Sequence, residues 1–159
     1  MEMVAQNVGS SLGTGPGAGR SASRQRLPQR LGDIIVPDRE RMKVALATPG
    51  EVAAIAAHVE PATARDMVSE WRFVAIRNTV AGTVRVHLLG IGARRRQPLI
   101  TSQVVAFDAQ ARLARTLSGS LYTLAGRRAD SEPPPEHIAV ICSAMHAWGL
   151  GTNYTVTRG

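Results

Sequence analysis

The sequence predicts a small α+β domain: three or four mostly antiparallel strands, a helix before them and a C-terminal helix packed on one face. Three observations carry that reading. The stretch from Trp71 to Leu124 holds successive apolar runs separated by turn residues, as in a sheet. Thr48-Pro49-Gly50-Glu51 is a helix-opening signature, and Pro133-Pro134-Pro135 leads into a second run of helical spacing.

Size and composition agree with one domain. The chain has 159 residues, 44% of them apolar and only 4% aromatic, so Leu, Ile, Val and Ala must build the core. Residues 1–32 are expected to be a disordered basic Gly/Ser/Arg arm, 33–151 the folded domain and 152–159 a tail. The arm has Gly13, Gly15, Pro16, Gly17 and Gly19 but too few large apolar residues to repay the entropy of ordering it. A folded part of this size has a modest core, which a second copy of the chain in a homo-oligomer would enlarge.

In chain order, Ile34–Val36 is a short apolar run closed by Pro37. Met42, Ala45 and Leu46 recur near helical spacing and predict a brief helix over Asp38–Ala47. Thr48 then caps a helix in which Pro49 occupies the first position and Glu51 reaches back to the cap. Val52, Ile55, Ala56 and Val59 share its apolar face, and Pro61 stops it. Ala62–Glu70 suits a further short helix. Trp71, Phe73 and Ala75 alternate with Arg72, Val74 and Ile76 and start a strand.

Thr83–Ile91 alternates with period two, Val84, Val86 and Leu88 opposite Thr83, Arg85 and His87. Arg94-Arg95-Arg96-Gln97-Pro98 is a polar turn, and Leu99–Phe107, apolar on both faces, reads as a central strand. Leu113, Leu117, Leu121 and Leu124 fit a helix, but Thr116, Gly119, Tyr122 and Thr123 argue for a strand broken around Ser118-Gly119-Ser120. Ile138, Ile141, Met145 and Trp148 then line one side of a helix opened at Glu136 and ended by Gly149. Tyr154–Thr157 has the composition of an edge strand.

Catalytic and metal signatures are absent. The candidate ligands His58, His87, His137, His146 and Cys142 form no Cys-x-x-Cys or His-Glu-x-x-His motif. Leu117-Ser118-Gly119-Ser120-Leu121 lacks the leading glycine of a nucleophile elbow. A hydrolase-like arrangement of His87, Asp108 and Ser118 is one alternative; it requires these side chains to converge in a pocket. Gly90-Ile91-Gly92 follows a strand but lacks the third glycine and following helix of a dinucleotide loop. No catalytic residue, cofactor or metal is therefore assigned. The single cysteine, Cys142, rules out an intramolecular disulfide framework and suits a reducing cytoplasm. Neither a signal peptide nor an apolar membrane span is expected.

Charge is the remaining signal. Trp71 to Arg128 holds ten arginines and one acid, Asp108, in a chain whose formal net charge is +7. Eighteen of its 19 basic residues are arginine, whose planar fork suits phosphate and carboxylate recognition. The expectation is a non-enzymatic accessory protein binding a polyanion, nucleic acid first, through an arginine-rich sheet face. Its candidate contacts are Arg85, Arg94, Arg95, Arg96, Arg112, Arg115, Arg127 and Arg128, with Trp71, Phe73 or Tyr122 stacking a base where exposed. An acidic protein is the other partner of matching charge, and a protein-interaction module using free strand edges is the second alternative. The bland explanation, arginines from coding composition that solvate turns, predicts no convergence of these side chains.

Overall fold

The computed structural model describes residues 2–4, 28–34 and 42–149. Among the described residues there are seven strands: β1 (Glu2–Val4), β2 (Met42–Leu46), β3 (Asp66–Asn78), β4 (Thr83–Gly92), β5 (Gln97–Asp108), β6 (Leu113–Thr116) and β7 (Leu121–Leu124). A short helix α1 (Pro49–Ala54) precedes β3, and α2 (Pro135–Ala147) follows β7. Six strands lie along one path, β1-β5-β4-β3-β7-β6, and β2 adds to β3. The α+β class and the two flanking helices hold; three or four strands was too few.

Pairing between β5 and β6 closes the path into a circuit running β3-β4-β5-β6-β7 and back to β3. Four antiparallel steps return the chain to its starting direction, so the closing pair must be parallel. β3 and β7 are indeed parallel, Asp66 opposite Tyr122 and Val68 opposite Leu124. Every other pairing between these strands is antiparallel.

The extra strands come from segments read differently in the sequence. Glu2–Val4, inside the predicted arm, pairs with Thr101–Leu99 of β5. Met42–Leu46 is a strand and not a helix: Met42, Val44 and Leu46 also satisfy period two, and pairing with Asn78–Val74 of β3 decides between the patterns. β3 starts at Asp66, five residues before Trp71. The helix expected from Pro49 to Pro61 ends at Ala54 because Ala56 is captured by β5, Phe107 N donating to Ile55 O at 2.8 Å and Ala57 N to Phe107 O at 3.0 Å. The 113–124 segment is a hairpin, broken at Ser118-Gly119-Ser120 with Gly119 at φ +94°. Residues 28–32 of the predicted arm are described as well, with Leu31 1% exposed in the core under α2; residues 1, 5–27 and 35–41 and the predicted Tyr154–Thr157 strand lie outside the described residues.

The sheet buries both faces. Val74, Ile76, Leu89 and Ile100 face α2, whose Ile138, Ile141, Cys142 and Met145 are all at most 1% exposed. The side enclosed by the circuit holds Val68, Trp71, Phe73, Leu88, Phe107, Tyr122 and Leu124, with Val52 of α1 joining them. Trp71, Phe73 and Phe107 meet edge to face at centroid distances of 4.9–5.9 Å. Both faces are thus largely covered, and the strand arginines share no open face: Arg72 is 5% exposed, Arg77 is half-buried against Glu51, and Arg85 is exposed near the start of β4.

Candidate functional site

The site is set by a bulge in β3. Ser69 pairs with Ile91 and Arg72 with Leu89, so β3 carries one extra residue there, and Glu70 takes φ +48°. Gly90 lies opposite the bulge. A Cβ at Gly90 would collide with Val68 Cγ1, lie 2.7 Å from Ser69 O and 3.0 Å from Trp71 Cα. Gly90 and Gly92 are thus packing glycines that admit a close strand crossing.

Beyond the bulge, Trp71 turns into the enclosed core and anchors the chain that leaves β7. Ala125 N donates to Val68 O at 2.9 Å, Ala129 N to Trp71 O at 2.8 Å and Trp71 Nε1 to Gly126 O at 3.3 Å. These bonds lay residues 125–129, and with them Arg127 and Arg128, over the tryptophan. The β5–β6 turn arrives from the other side. Asp108 Oδ1 accepts from Ala111 N at 3.0 Å, and Arg112 ends the turn at φ +59° with Nη1 3.3 Å from Gly126 O.

Between these segments and α1 lies a cleft of about 480 Å³. Pro49, Val52, Ala53 and Ala56 form one wall, Trp71, Phe107 and Leu124 the apolar floor, and Arg112, Arg127 and Arg128 are exposed at the rim. No acidic residue lines it. Trp71 and Phe107 are 5% and 8% exposed, so each shows the cleft only a strip of its ring. Phe73 and Tyr122 are buried in the core and offer no stacking surface.

Three of the eight predicted arginines thus converge. Arg94, Arg95 and Arg96 form a second exposed group on the β4–β5 turn, at the opposite end of β5 from Arg112. The main chain there is fixed by Arg94 N to Asp66 Oδ1 at 3.1 Å and Arg96 N to Gly92 O at 2.8 Å. Arg85 is exposed on β4 opposite Ile76, and half-buried Arg115 lies on β6 opposite Leu121. Two clusters and two single residues replace the continuous stripe.

Sequence reasoning missed the α1 wall, because nothing local says that α1 stops early and leaves Ala53 and Ala56 beside Phe107. The capping box stands as expected, Glu51 Oε1 accepting from Thr48 N at 2.8 Å. Sequence reasoning missed the second hold on α1, a bidentate pair from Arg77 to Glu51 at 2.5 and 2.7 Å. The Arg77 guanidinium holds the Glu51 carboxyl below the usual carboxylate range.

The residues of the hydrolase alternative are held by different partners. His87, 2% exposed, shares a 3.0 Å hydrogen bond between Nδ1 and Thr101 O, stacks on Trp148 at 4.7 Å and has no partner on Nε2. Burial pushes its pKa down to about 4, so the ring is neutral and Nδ1 carries the proton it donates. Asp108 accepts from Val59 N and Ala111 N, both at 3.0 Å, which lowers its pKa, and it lies 3.4 Å from His58 Nδ1. His58, exposed, also contacts Glu60 at 3.0 Å, and that carboxylate raises its pKa. Ser118 Oγ lies 3.0 Å from Thr116 Oγ1 and 3.3 Å from Ser102 Oγ in the β6–β7 turn.

Among the described residues no group of three or more His, Cys, Asp and Glu is arranged to hold a metal ion, and no helix is long and apolar enough to cross a membrane. Burial pushes the Cys142 thiol up to about 11, which makes it an inert packing group. No protein-family model, curated protein or solved structure matches the chain.

Proposed function

We propose that this chain is a non-enzymatic accessory protein of the cytoplasm that binds a polyanion, nucleic acid first, by its arginine clusters. One observation supports this above the others: Arg112, from the β5–β6 turn, and the adjacent pair Arg127-Arg128, from the segment after β7, meet at the rim of one cleft lined by no acid. Coding composition alone gives no reason for that convergence. Guanidinium groups at such a rim bind phosphate oxygens and release the counterions around them, which gives affinity without sequence preference. The Arg94–Arg96 turn is a second point of contact for a ligand that extends along the molecule.

The test is fluorescence anisotropy with unrelated single- and double-stranded DNA and RNA, titrated across salt. Binding that weakens steeply with salt is expected. Replacing Arg112, Arg127 and Arg128 by Gln should lower the slope of log K against log salt by roughly two to three. An unchanged slope in the folded variant rejects the assignment.

A second reading has its own observation. Among the described residues β1 pairs only with β5 and β2 only with β3, so each presents an unpaired edge. Such an edge accepts a strand from an acidic protein or from a second copy of this chain. Retention of salt-sensitive oligonucleotide binding under conditions that occupy those edges separates the two readings.

A further inference from the structure

We infer that the cleft beside α1 receives one unstacked nucleobase, while Arg112, Arg127 and Arg128 hold the flanking phosphates. This rests on the nucleic-acid reading above and deepens it: the ligand becomes a single strand, or an unpaired end, in preference to a duplex. The walls offer few free polar groups. Val52 and Ala53 belong to a helix whose backbone is internally bonded, and Gly126 O already accepts from Trp71 Nε1 and Arg112 Nη1. An extended peptide brings a donor and an acceptor with every residue, and these walls would leave them unpaired. A nucleobase brings an apolar π face for the Trp71–Phe107 floor and keeps its polar edge toward the open, wet side.

Size and charge agree. A cleft of about 480 Å³ lies within the range of small-ligand sites. The edge-to-face packing of Trp71, Phe73 and Phe107 makes its floor rigid, so little ordering is required when a base enters. Cationic groups stand only at the mouth, where the phosphates on either side of an inserted base must pass. Bases inside a duplex are already stacked and paired and cannot enter without being extruded.

The chain supplies its own reporter. It has two tryptophans, Trp71 in the cleft floor and Trp148 stacked on His87 against α2 on the other side of the sheet. In Trp148→Phe, Trp71 is the sole emitter. A single-stranded oligonucleotide should quench and shift its emission and bind about tenfold or more tighter than the same strand with abasic sites. Inorganic polyphosphate should bind without that change. Ala53→Phe, at an exposed α1 position, should fill the cleft, silence the response and reduce the oligonucleotide to abasic-strand affinity.

Equal affinity for intact and abasic strands, with Trp71 unresponsive, overturns the base pocket while leaving the charge reading intact. Absence of binding to every polyanion at low salt removes both. A Trp71 response to an acidic peptide carrying phenylalanine, with none to the oligonucleotide, makes the cleft a peptide site and overturns the inference. The abasic comparison needs no cleft variant, so a poorly folding Ala53→Phe does not decide the matter.

Discussion

Acid should destabilise this protein through one ring. His87 is 2% exposed, and its pKa is about 4 against an ordinary 6.5. The charged ring is disfavoured in the fold, by burial first and by Arg85 as well, while Thr101 O works in the opposite direction. The unfolded chain takes up a proton on His87 as pH falls through 6.5, but the folded chain does so only near 4. Unfolding is therefore progressively favoured across that window, and the stabilisation is complete only above it. Integrating over the two pKa values gives a loss of about 1.4 kcal/mol at pH 5.5 and about 2.5 kcal/mol at pH 4.5. The assay is urea unfolding at pH 7.5, 5.5 and 4.5 for the native chain and for His87→Gln, which cannot titrate. The stability difference between the two proteins should change by about 2.5 kcal/mol across the series, the native chain losing ground toward low pH. His137, whose pKa burial also lowers, contributes with the same sign to both proteins and cancels. A difference constant with pH would refute the assignment of a neutral, buried His87.

Three further outcomes follow from the site's supports. Gly90→Ala places a methyl group against Ser69 O and Trp71 Cα, main-chain atoms that cannot swing aside, and should cost about 3 kcal/mol in urea unfolding and alter Trp71 emission. Glu51→Gln keeps the capping box but gives up the charge facing Arg77. The cost should be about 1–2 kcal/mol at pH 7, shrinking as pH falls through the lowered Glu51 pKa and the native carboxyl itself becomes neutral. Arg112→Asn relieves a left-handed backbone that costs a non-glycine residue about 1 kcal/mol, so its Tm should hold or rise while polyanion affinity falls.

The parts of this fold legible in the sequence are those decided locally. Thr48, Pro49 and Glu51 form a capping box within four residues, and it stands as read. β4 and β5 follow from their own alternation and length. Where a segment carries two patterns, its neighbours choose: Met42–Leu46 satisfies both periods, and β3 makes it a strand. The early end of α1 is a contact with Phe107, fifty residues away in sequence, and no local signal announces it. The bulge hid the start of β3, because an extra residue between Ser69 and Arg72 breaks the alternation a reader needs to join Val68 to Trp71. The candidate arginines were visible as charge; their sorting into clusters depends on which strand ends meet.

That sorting gives the two faces of the sheet different work. The face under α2 is closed: Ile138, Ile141, Ala144 and Met145 are at most 0% exposed, and its polar guest His87 is covered by Trp148. Substitutions there are matters of stability. The enclosed side is closed by an odd circuit whose parallel joint, β3 with β7, spans only Asp66–Val68 against Tyr122–Leu124. Just past that joint β3 runs on as Trp71 while the chain after β7 continues as Gly126–Arg128, still tied to it by the Ala125, Trp71 and Ala129 hydrogen bonds. Exposed arginines are thereby fixed beside the edge of an aromatic core. The shortness of the closing joint and the presence of the cleft have one geometric origin, so lengthening β7 into a longer pairing with β3 would fill the space where the ligand is proposed to enter.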